Sequence, residues 1–245
     1  MQPHIPSRYI LTSETMKNTD TSEAIFITGI DTDAGKTYAT ASYARLLENM
    51  GLGVVTQKFI QTGCRDTSED IDKHRELLGT GILPEDSEHL TASIIFSYPA
   101  SAQLAARIDG RDIDTTVIER CTAELLRRYD RVLIEGAGGL LVPITDTYMA
   151  ADYVREHRLP VVLTTNGRLG SINHTLLSLE AIRSRGLELR AVIYNEFYDS
   201  DSIIAEDTKS FIGRYLSRNF PEADYYAMPR YNGLLILHKL LADKK

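Results

Sequence analysis

A glycine, a lysine and a threonine follow one another at Gly35-Lys36-Thr37, within the stretch ITGIDTDAGKTYAT. In a phosphate-binding loop, such a glycine lets backbone N–H groups approach a polyphosphate, the lysine reaches its β- and γ-phosphates, and the threonine hydroxyl contacts Mg²⁺. The pattern G-x-x-x-x-G-K-[ST] needs a glycine at residue 30, which is isoleucine, and Gly29 stands one position earlier. The stretch therefore predicts a nucleotide site built on a variant loop.

Two more ionisable residues stand at the ends of apolar segments. Lys58 lies near the end of residues 53–59, and Glu135 follows residues 131–134 and precedes a Gly-Ala-Gly-Gly sequence. A carboxylate at the end of a buried strand needs a cation or a donor, so we expect Glu135 to bind Mg²⁺ together with Thr37. The segment RDTSEDIDKHREL offers a second carboxylate from four candidates, which are Asp66, Glu69, Asp70 and Asp72.

Apolar runs rich in β-branched residues alternate with helical patterns along the chain. The predicted strands are 24–28, 53–59, 131–134, 161–165 and 190–194. The predicted helices are 36–50, 70–78, 102–108, 115–129, 150–157, 171–184, 203–216 and 234–242. This alternation predicts an α/β fold of the P-loop NTPase type, a mostly parallel sheet with helices on both faces, in a single domain over residues 23–245. Residues 1–22 are polar and are predicted to form a flexible leader.

The composition of the chain indicates which kinds of binding partner are unexpected. The 245 residues carry a formal net charge of −7 without a long basic run, which disfavours a nucleic-acid-binding surface. No stretch is apolar enough to span a membrane, and we expect no membrane partner. The two cysteines, Cys64 and Cys121, form no metal-binding or disulfide pattern, so we expect reduced thiols and a cytoplasmic location.

Four segments together resemble successive blocks of the dethiobiotin synthetase family. They are TGIDTDAGKT (28–37), QKFIQTG (57–63), LIEGAGGLLVPI (133–144) and GRLGSINHTLLS (167–178). The resemblance implies ATP- and Mg²⁺-dependent closure of a ureido ring, in which 7,8-diaminopelargonate and CO₂ give dethiobiotin, ADP and phosphate. It also implies a homodimer with the substrate site at the interface.

The resemblance also assigns roles to particular residues. Lys58 and Lys36 are implied to be catalytic, Thr32 and Thr62 to contact the substrate, and the metal ligands to be Thr37, Glu135 and Asp72, with Asp70 as the next candidate. The implied nucleotide contacts are Asp33, Ala34, Gly35, Lys36, Thr37, Tyr38, Asp72, Glu135, Gly136, Ala137, Gly138, Asn195, Glu196 and Pro229.

The start of the helix at 171–184 is implied to bind the acidic tail of the substrate from the other subunit, through Ser171, Ile172 and Asn173. A helix start suits a carboxylate because its free N–H groups and dipole are positive. His174 is assigned an orienting or structural role.

Two other classes of protein share parts of this pattern. A regulatory P-loop ATPase that acts through a protein partner is the main alternative, but the K-G-G-x-G-K-[ST] loop of the partition type would need lysine at residue 31, where this chain has Asp31. An amidating synthetase on the same scaffold would need a glutaminase domain with a nucleophilic cysteine, and no cysteine follows residue 200.

Overall fold

A parallel β-sheet forms the centre of the molecule in a computed structural model that describes residues 22–240. The predicted leader lies outside the described residues, except for Ser22. The strands are β1 (Glu23–Gly29), β2 (Val54–Lys58), β3 (Gln61–Thr62), β4 (Ile95–Phe96), β5 (Arg131–Gly139), β6 (Val161–Asn166), β7 (Leu189–Asn195), β8 (Asp224–Met228) and β9 (His238–Lys239).

Seven of these strands form one sheet in the order β2-β5-β1-β6-β7-β8-β9. Every neighbouring pair is parallel except β8 and β9, which are antiparallel. The short strands β3 and β4 pair separately. Because the strands are parallel, the carboxyl ends of β1, β2, β5, β6, β7 and β8 meet at one edge, where ligands of open α/β sheets bind.

The helices are α1 (Lys36–Asn49), α2 (Glu69–Leu78), α3 (Pro84–Ser87), α4 (Ala102–Ile108), α5 (Thr115–Leu125), α6 (Ala150–Glu156), α7 (Ser171–Ser184) and α8 (Ser202–Asn219). A single 3₁₀ turn spans Glu196–Tyr198. Within residues 22–240, no helix is long and apolar enough to cross a lipid bilayer.

Two apolar clusters cover the two faces of the sheet. Successive side chains of a strand point to opposite faces, so Phe26 belongs to one cluster while Ile25 and Ile27 belong to the other. The Phe26 side also buries residues of α4 to α8, and the Ile25 side buries residues of α1 and α2. The predicted single-domain α/β architecture with helices on both faces is confirmed.

The C-terminal helix predicted over residues 234–242 is wrong. Residues 234–237 have no regular structure and β9 follows them, while residues 241 and 242 lie outside the described part. Leu235 and Leu237 pack on the apolar cluster, whereas Leu234 and Ile236 line the cavity described below. This alternation has the two-residue period of extended chain, so the apolar run does not form a helical stripe.

Several boundaries also differ from the prediction. The predicted helix 115–129 ends at Leu125, and strand β5 continues through Gly136 to Gly139. Strand β8, the short strands β3 and β4, and helix α3 were not predicted. Strand β8 reads DYYAM, a run too short and too mixed to stand out by periodicity.

Candidate active site

The carboxyl ends of the strands open onto a cavity of about 1070 Å³. This volume is slightly above the usual range for ligand pockets, roughly 300–1,000 Å³. The predicted site residues that line it are Thr32, Asp33, Gly35, Lys36, Thr37, Tyr38, Lys58, Thr62, Glu135, Ala137, Gly138, Asn195 and Pro229. Sequence segments more than 150 residues apart therefore meet in one place.

The phosphate-binding loop connects β1 to α1. Gly35 precedes α1 with a φ of 94°, in the left-handed region that favours glycine, and a side chain there would contact Nδ2 of Asn195. Nζ of Lys36 lies 3.1 Å from the carbonyl oxygens of both Asp31 and Thr32, so the ammonium group folds over the loop. The loop thus presents free N–H groups at the start of a helix, which suits an anion.

The ammonium group of Lys58 lies between two carboxylates. Its Nζ is 2.5 Å from Oδ2 of Asp70 and 2.9 Å from Oε1 of Glu135, and it also donates to the carbonyl oxygen of Gly136 at 3.3 Å. Burial would lower the pKa of Lys58, but the charges of Glu135 and Asp70 outweigh it and raise the pKa above its ordinary value. Lys58 is therefore a fixed cation at this edge of the sheet.

Glu135 is ionised for a matching reason. Burial would raise its pKa, but the charge of Lys58 and a hydrogen bond from His74 lower it far below its usual range. Oε1 of Glu135 accepts from Lys58 and lies 3.3 Å from Oγ1 of Thr37, which also donates to Asp70 Oδ1 at 3.0 Å. Two carboxylates, one hydroxyl and one ammonium group thus form a compact charged cluster beside the loop.

The cluster fits Mg²⁺ by its donor set. Mg²⁺ is commonly held in phosphoryl-transfer sites by one or two carboxylates, with waters and substrate phosphates completing an octahedron. Thr37, Asp70 and Glu135 supply such oxygen atoms at the start of α1. Within residues 22–240 no group of three or more His, Cys, Asp or Glu side chains could hold a metal by itself, which agrees with a site completed by nucleotide and water.

Asp72, the preferred candidate for the second metal carboxylate, lies elsewhere. Its side chain is exposed and does not line the cavity, whereas Asp70 contacts both Thr37 and Lys58. On a helix, residues four apart share a face and residues two apart do not, so Asp70 and His74 face the charged cluster while Asp72 points away. Ser68 caps α2 by accepting from the N–H of Ile71 at 3.2 Å, which leaves the Asp70 carboxylate free of a capping role.

The far end of the cavity holds the residues predicted to contact the base. Both polar atoms of the Asn195 amide are engaged within the chain, since Nδ2 donates to the Ala34 carbonyl at 3.1 Å and Oδ1 accepts from the N–H of Phe197 at 3.0 Å. Glu196 does not line the cavity and instead pairs with Lys209 at 2.6 Å. Asn195 therefore ties the phosphate-binding loop to β7.

Some of the remaining predicted residues line the cavity, and others lie behind it. Thr32 and Thr62 line the cavity near Lys58 and Gln61. Ala34 is fully buried, and Gly136 contributes its carbonyl oxygen to Lys58. Neither Ala34 nor Gly136 lines the cavity, so each acts on the site from behind it.

The start of α7 lies outside this cavity. Ser171 is buried and its hydroxyl bonds to Oδ1 of Asn166 at 2.5 Å, while Asn173 is exposed. Ile172 lines a separate recess of about 310 Å³ with Leu169 and Ile203. None of these three predicted substrate residues is brought to Lys58 within one copy of the chain.

The sequence reasoning missed several residues of the site. Phe197, Tyr198 and Tyr231 line the cavity, and the Tyr38 and Tyr231 rings lie 5.6 Å apart. Arg230, which follows the predicted Pro229, also lines the cavity and lies over the Phe197 ring at 4.8 Å. The aromatic pair Phe197-Tyr198, two residues after Asn195, was a usable signal, because bases stack on aromatic rings. His74 and Thr40, which contact Glu135, carried no signal of their own.

Comparisons with known proteins agree with this geometry. Residues 23–232 match a family model described as an AAA domain. The chain is 46% identical to the ATP-dependent dethiobiotin synthetase of Pasteurella multocida over 84% of this chain and 97% of that protein. It is 45% identical to that of Haemophilus ducreyi over 84% and 98%, and 46% identical to that of Chlorobaculum tepidum over 82% and 84%.

Solved structures are similar in fold only. A putative plasmid partition protein of Borrelia burgdorferi, bound to AMPPNP, superposes with a TM-score of 0.54 at 12% identity over 91% of this chain and 93% of that one. Chloroplast FtsY of Physcomitrella patens gives a TM-score of 0.53 at 13% identity over 94% and 66%. Identities this low carry the architecture and not the chemistry.

Proposed function

The chain belongs to the ATP-dependent dethiobiotin synthetase family, and we propose that the cavity at the edge of its sheet closes the ureido ring through a carbamate and a carbamic-phosphoric anhydride. The enzyme is a ligase of biotin biosynthesis that uses ATP and Mg²⁺. The position of Lys58, held between Asp70 and Glu135 beside Thr37, is the observation that carries the assignment of this cavity.

The reaction takes place in three steps. An amine of 7,8-diaminopelargonate attacks the carbon of CO₂, a C–N bond forms, and the amine loses a proton to give a carbamate. A carbamate oxygen then attacks the γ-phosphorus of ATP, the bond between that phosphorus and the bridging oxygen breaks, and ADP leaves. The second amine attacks the carbamate carbon, loses a proton and expels phosphate, which closes the ring.

Lys58 and Lys36 supply positive charge where these steps place negative charge. The carbamate is an anion, and so is the γ-phosphoryl group it must approach, so cations that neutralise both are worth several kcal/mol of barrier. Lys36 folds over the loop that would hold the β- and γ-phosphates. Thr32 and Thr62 line the same cavity, and we assign their hydroxyl groups to hydrogen bonds with the diamine or its carbamate.

We assign the metal to Thr37, Asp70 and Glu135. When bound, Mg²⁺ supplies charge that stabilises the phosphate oxygens during transfer. Asp70 replaces Asp72 in this assignment because of its contacts with Thr37 and Lys58. Both carboxylates contact Thr37, at the end of the phosphate-binding loop.

We further propose a homodimer in which the start of α7 serves the cavity of the second copy. Ser171, Ile172 and Asn173 lie outside the cavity of their own chain, and exposed apolar residues surround them, with Leu169 96% exposed and Ile203 79% exposed. An apolar patch beside a helix start is a suitable contact surface. Sedimentation velocity of the full chain should give twice the mass of 27.4 kDa, and a monomer at micromolar concentration would contradict the dimer.

A cytoplasmic location is also proposed. Cys64 and Cys121 are both free thiols, as expected for a reducing compartment. Recovery of the protein in the cytosolic fraction of the cell that makes it tests this proposal.

Phosphate release tests the function directly. The full chain with ATP and Mg²⁺ should release phosphate only when both 7,8-diaminopelargonate and bicarbonate are present, and mass spectrometry should detect dethiobiotin in equal amount. Phosphate release that is indifferent to both compounds would favour the regulatory ATPase. The Borrelia partition protein shares only the fold, and Asp31 stands where the partition-type loop has lysine, so the synthetase is the stronger proposal.

A further inference from the structure

The two oxygens of Glu135 have different partners. Oε1 faces Thr37 and Lys58, whereas Oε2 lies 2.8 Å from Nε2 of His74 and 3.1 Å from Oγ1 of Thr40. A carboxylate oxygen can only accept, so both the imidazole Nε2–H and the threonine hydroxyl donate to Oε2. Glu135 is 1% exposed, and its orientation is therefore fixed by four groups from three elements, β2, α1 and α2.

We propose that His74 is a positioning residue for Glu135. Together with Thr40, His74 holds Oε2 of Glu135, so that only Oε1 of Glu135 is presented to the metal. This inference rests on the proposed assignment of Glu135 as a magnesium ligand. Mg²⁺ demands near-ideal octahedral geometry at short distances, and a carboxylate that binds through one oxygen leaves room for waters and phosphate. Groups that orient a ligand from behind change metal affinity by roughly 10- to 100-fold when they are removed.

The surroundings of His74 support a role directed at Glu135. The ring is fully buried, and within the described part of the chain its Nδ1 has no hydrogen-bond partner. Burying one unpartnered ring nitrogen costs free energy that an apolar residue at the same position would not cost. The bond to Glu135 is the polar contact of this ring, so stability alone does not explain a histidine here.

The position of His74 on α2 places it on the same face of the helix as Asp70. Asp70 and His74 are one helical turn apart on the same face of α2, where Asp70 contacts Lys58 and His74 contacts Glu135. Asp70 reaches Lys58 and Thr37 on the cavity side, while His74 reaches Oε2 behind it. One face of α2 thus supplies both a proposed metal ligand and the group that orients the other ligand.

Metal affinity of the full chain tests the proposal without catalysis. Mn²⁺ is titrated in the presence of a non-hydrolysable ATP analogue, and free Mn²⁺ is followed by electron paramagnetic resonance. His74→Leu should raise the Kd for Mn²⁺ by about 10-fold or more. His74→Gln should stay within about 3-fold of the unmodified protein, because the glutamine Nε2 can replace the imidazole donor. In steady-state assays, His74→Leu should raise the KM for Mg²⁺ more than it lowers kcat at saturating Mg²⁺.

Two further variants separate positioning from general stability. Leu77→Ala removes a buried apolar side chain of the same helix and should lower thermal stability without changing the Kd for Mn²⁺. Thr40→Val removes the second donor to Oε2, should raise the Kd by a few-fold, and provides the test if His74→Leu does not fold. The proposal is overturned if the Kd for Mn²⁺ is unchanged in His74→Leu, or in Thr40→Val where His74→Leu does not fold. It is also overturned if Leu77→Ala changes this Kd equally. A protein that makes no dethiobiotin would refute the proposed function while these Kd ratios still decide the role of His74.

Discussion

Nζ of Lys58 lies 2.9 Å from Oε1 of Glu135, and neither side chain is more than 5% exposed. An isolated buried charge is unstable, so each member of this pair accounts for the other. Asp70 contacts the same ammonium group, which makes Lys58 the cation that balances two carboxylates. Removal of the Lys58 ammonium group should therefore lower the rate of ring closure and increase the affinity of Asp70 and Glu135 for another cation.

Lys58→Met should reduce dethiobiotin formation by roughly 10³-fold, the upper range for losing one group that stabilises transition-state charge. The fold should survive, because the β2 backbone pairs with β5 regardless of this side chain. Product formation measured by mass spectrometry, with circular dichroism to monitor the fold, checks both expectations. Full turnover in the folded variant would remove Lys58 from the mechanism.

The same variant should gain more stability from magnesium than the unmodified protein. Without the Lys58 ammonium group, Asp70 and Glu135 lose the cation that contacts both of them, and we expect a divalent cation to take its place. A ligand that binds only the folded state raises stability by RT ln(1 + [L]/Kd), so tighter binding gives a larger thermal shift. Melting temperatures in EDTA and in millimolar MgCl₂, without nucleotide, measure this. Equal shifts in the two proteins would show that Lys58 does not compete with the metal.

Asp70→Asn and Asp72→Asn form a matched pair one half-turn apart on α2. Asp70→Asn should raise the Mg²⁺ concentration needed for half-maximal activity by about 10-fold or more, since it removes a proposed ligand. Asp72→Asn should leave that concentration within about 2-fold of the unmodified protein, because its exposed side chain is a surface substitution. Magnesium titrations of the initial rate compare the two, and a larger effect in Asp72→Asn would restore Asp72 as the ligand.

The choice between these two aspartates illustrates what the sequence can predict. The phosphate-binding loop and Glu135 are predicted because Gly-Lys-Thr and a carboxylate each follow an apolar strand, whereas the prediction for Lys58 also needs the family resemblance of the segment QKFIQTG. Both aspartates lie on one helix within two residues, and only the rotation of that helix about its axis decides which one faces the cavity. The rotation depends on how Ile71 and Leu77 pack, which no local pattern reports.

Contacts between distant elements account for the other omissions. His74 looks like any polar residue of a short helix until α2 packs beside Glu135. The aromatic lining from Tyr231 joins that from Tyr38 only because the chain after β8 turns back across the cavity. In contrast, helices α4 and α7 match their predicted bounds, because their start signals and apolar spacing are local.

Gly35→Ala should abolish nucleotide binding while leaving most of the fold intact. Residue 35 has a φ of 94°, which alanine adopts only with strain, and an added Cβ would contact the Asn195 amide that holds the loop. Calorimetric titration with a non-hydrolysable ATP analogue should show at least a 100-fold loss in affinity. Gly51→Ala is the control, because Gly51 has a φ of 87° but no atom near the added Cβ, and near-equal losses would exclude the steric argument.

An ion pair between buried Arg75 and partly buried Asp86, away from the cavity, supplies a prediction about stability. Asp86 accepts from Nε and Nη2 of Arg75, both at 2.8 Å, and also from the N–H of Leu83 and the hydroxyl of Thr91. Burial would raise the pKa of Asp86, but these donors and the Arg75 charge outweigh it and lower the pKa below its ordinary value. Asp86 thus joins α2, α3 and the segment that leads to β4.

Asp86→Asn should lower the free energy of unfolding by about 3 kcal/mol at pH 7, because it leaves the Arg75 charge buried without its partner. The lowered pKa means that the unfolded chain binds the proton first, so this contribution is complete above the unfolded pKa and is lost as the pH falls through the folded value. The difference between the two proteins should therefore shrink below about pH 4. Asp152→Asn, which removes a similar helix-start contact to Met149 without a buried arginine, should cost no more than about 1 kcal/mol. Urea unfolding from pH 7 to pH 3 measures both variants, and a difference for Asp86→Asn that grows on acidification would contradict the direction assigned to its pKa.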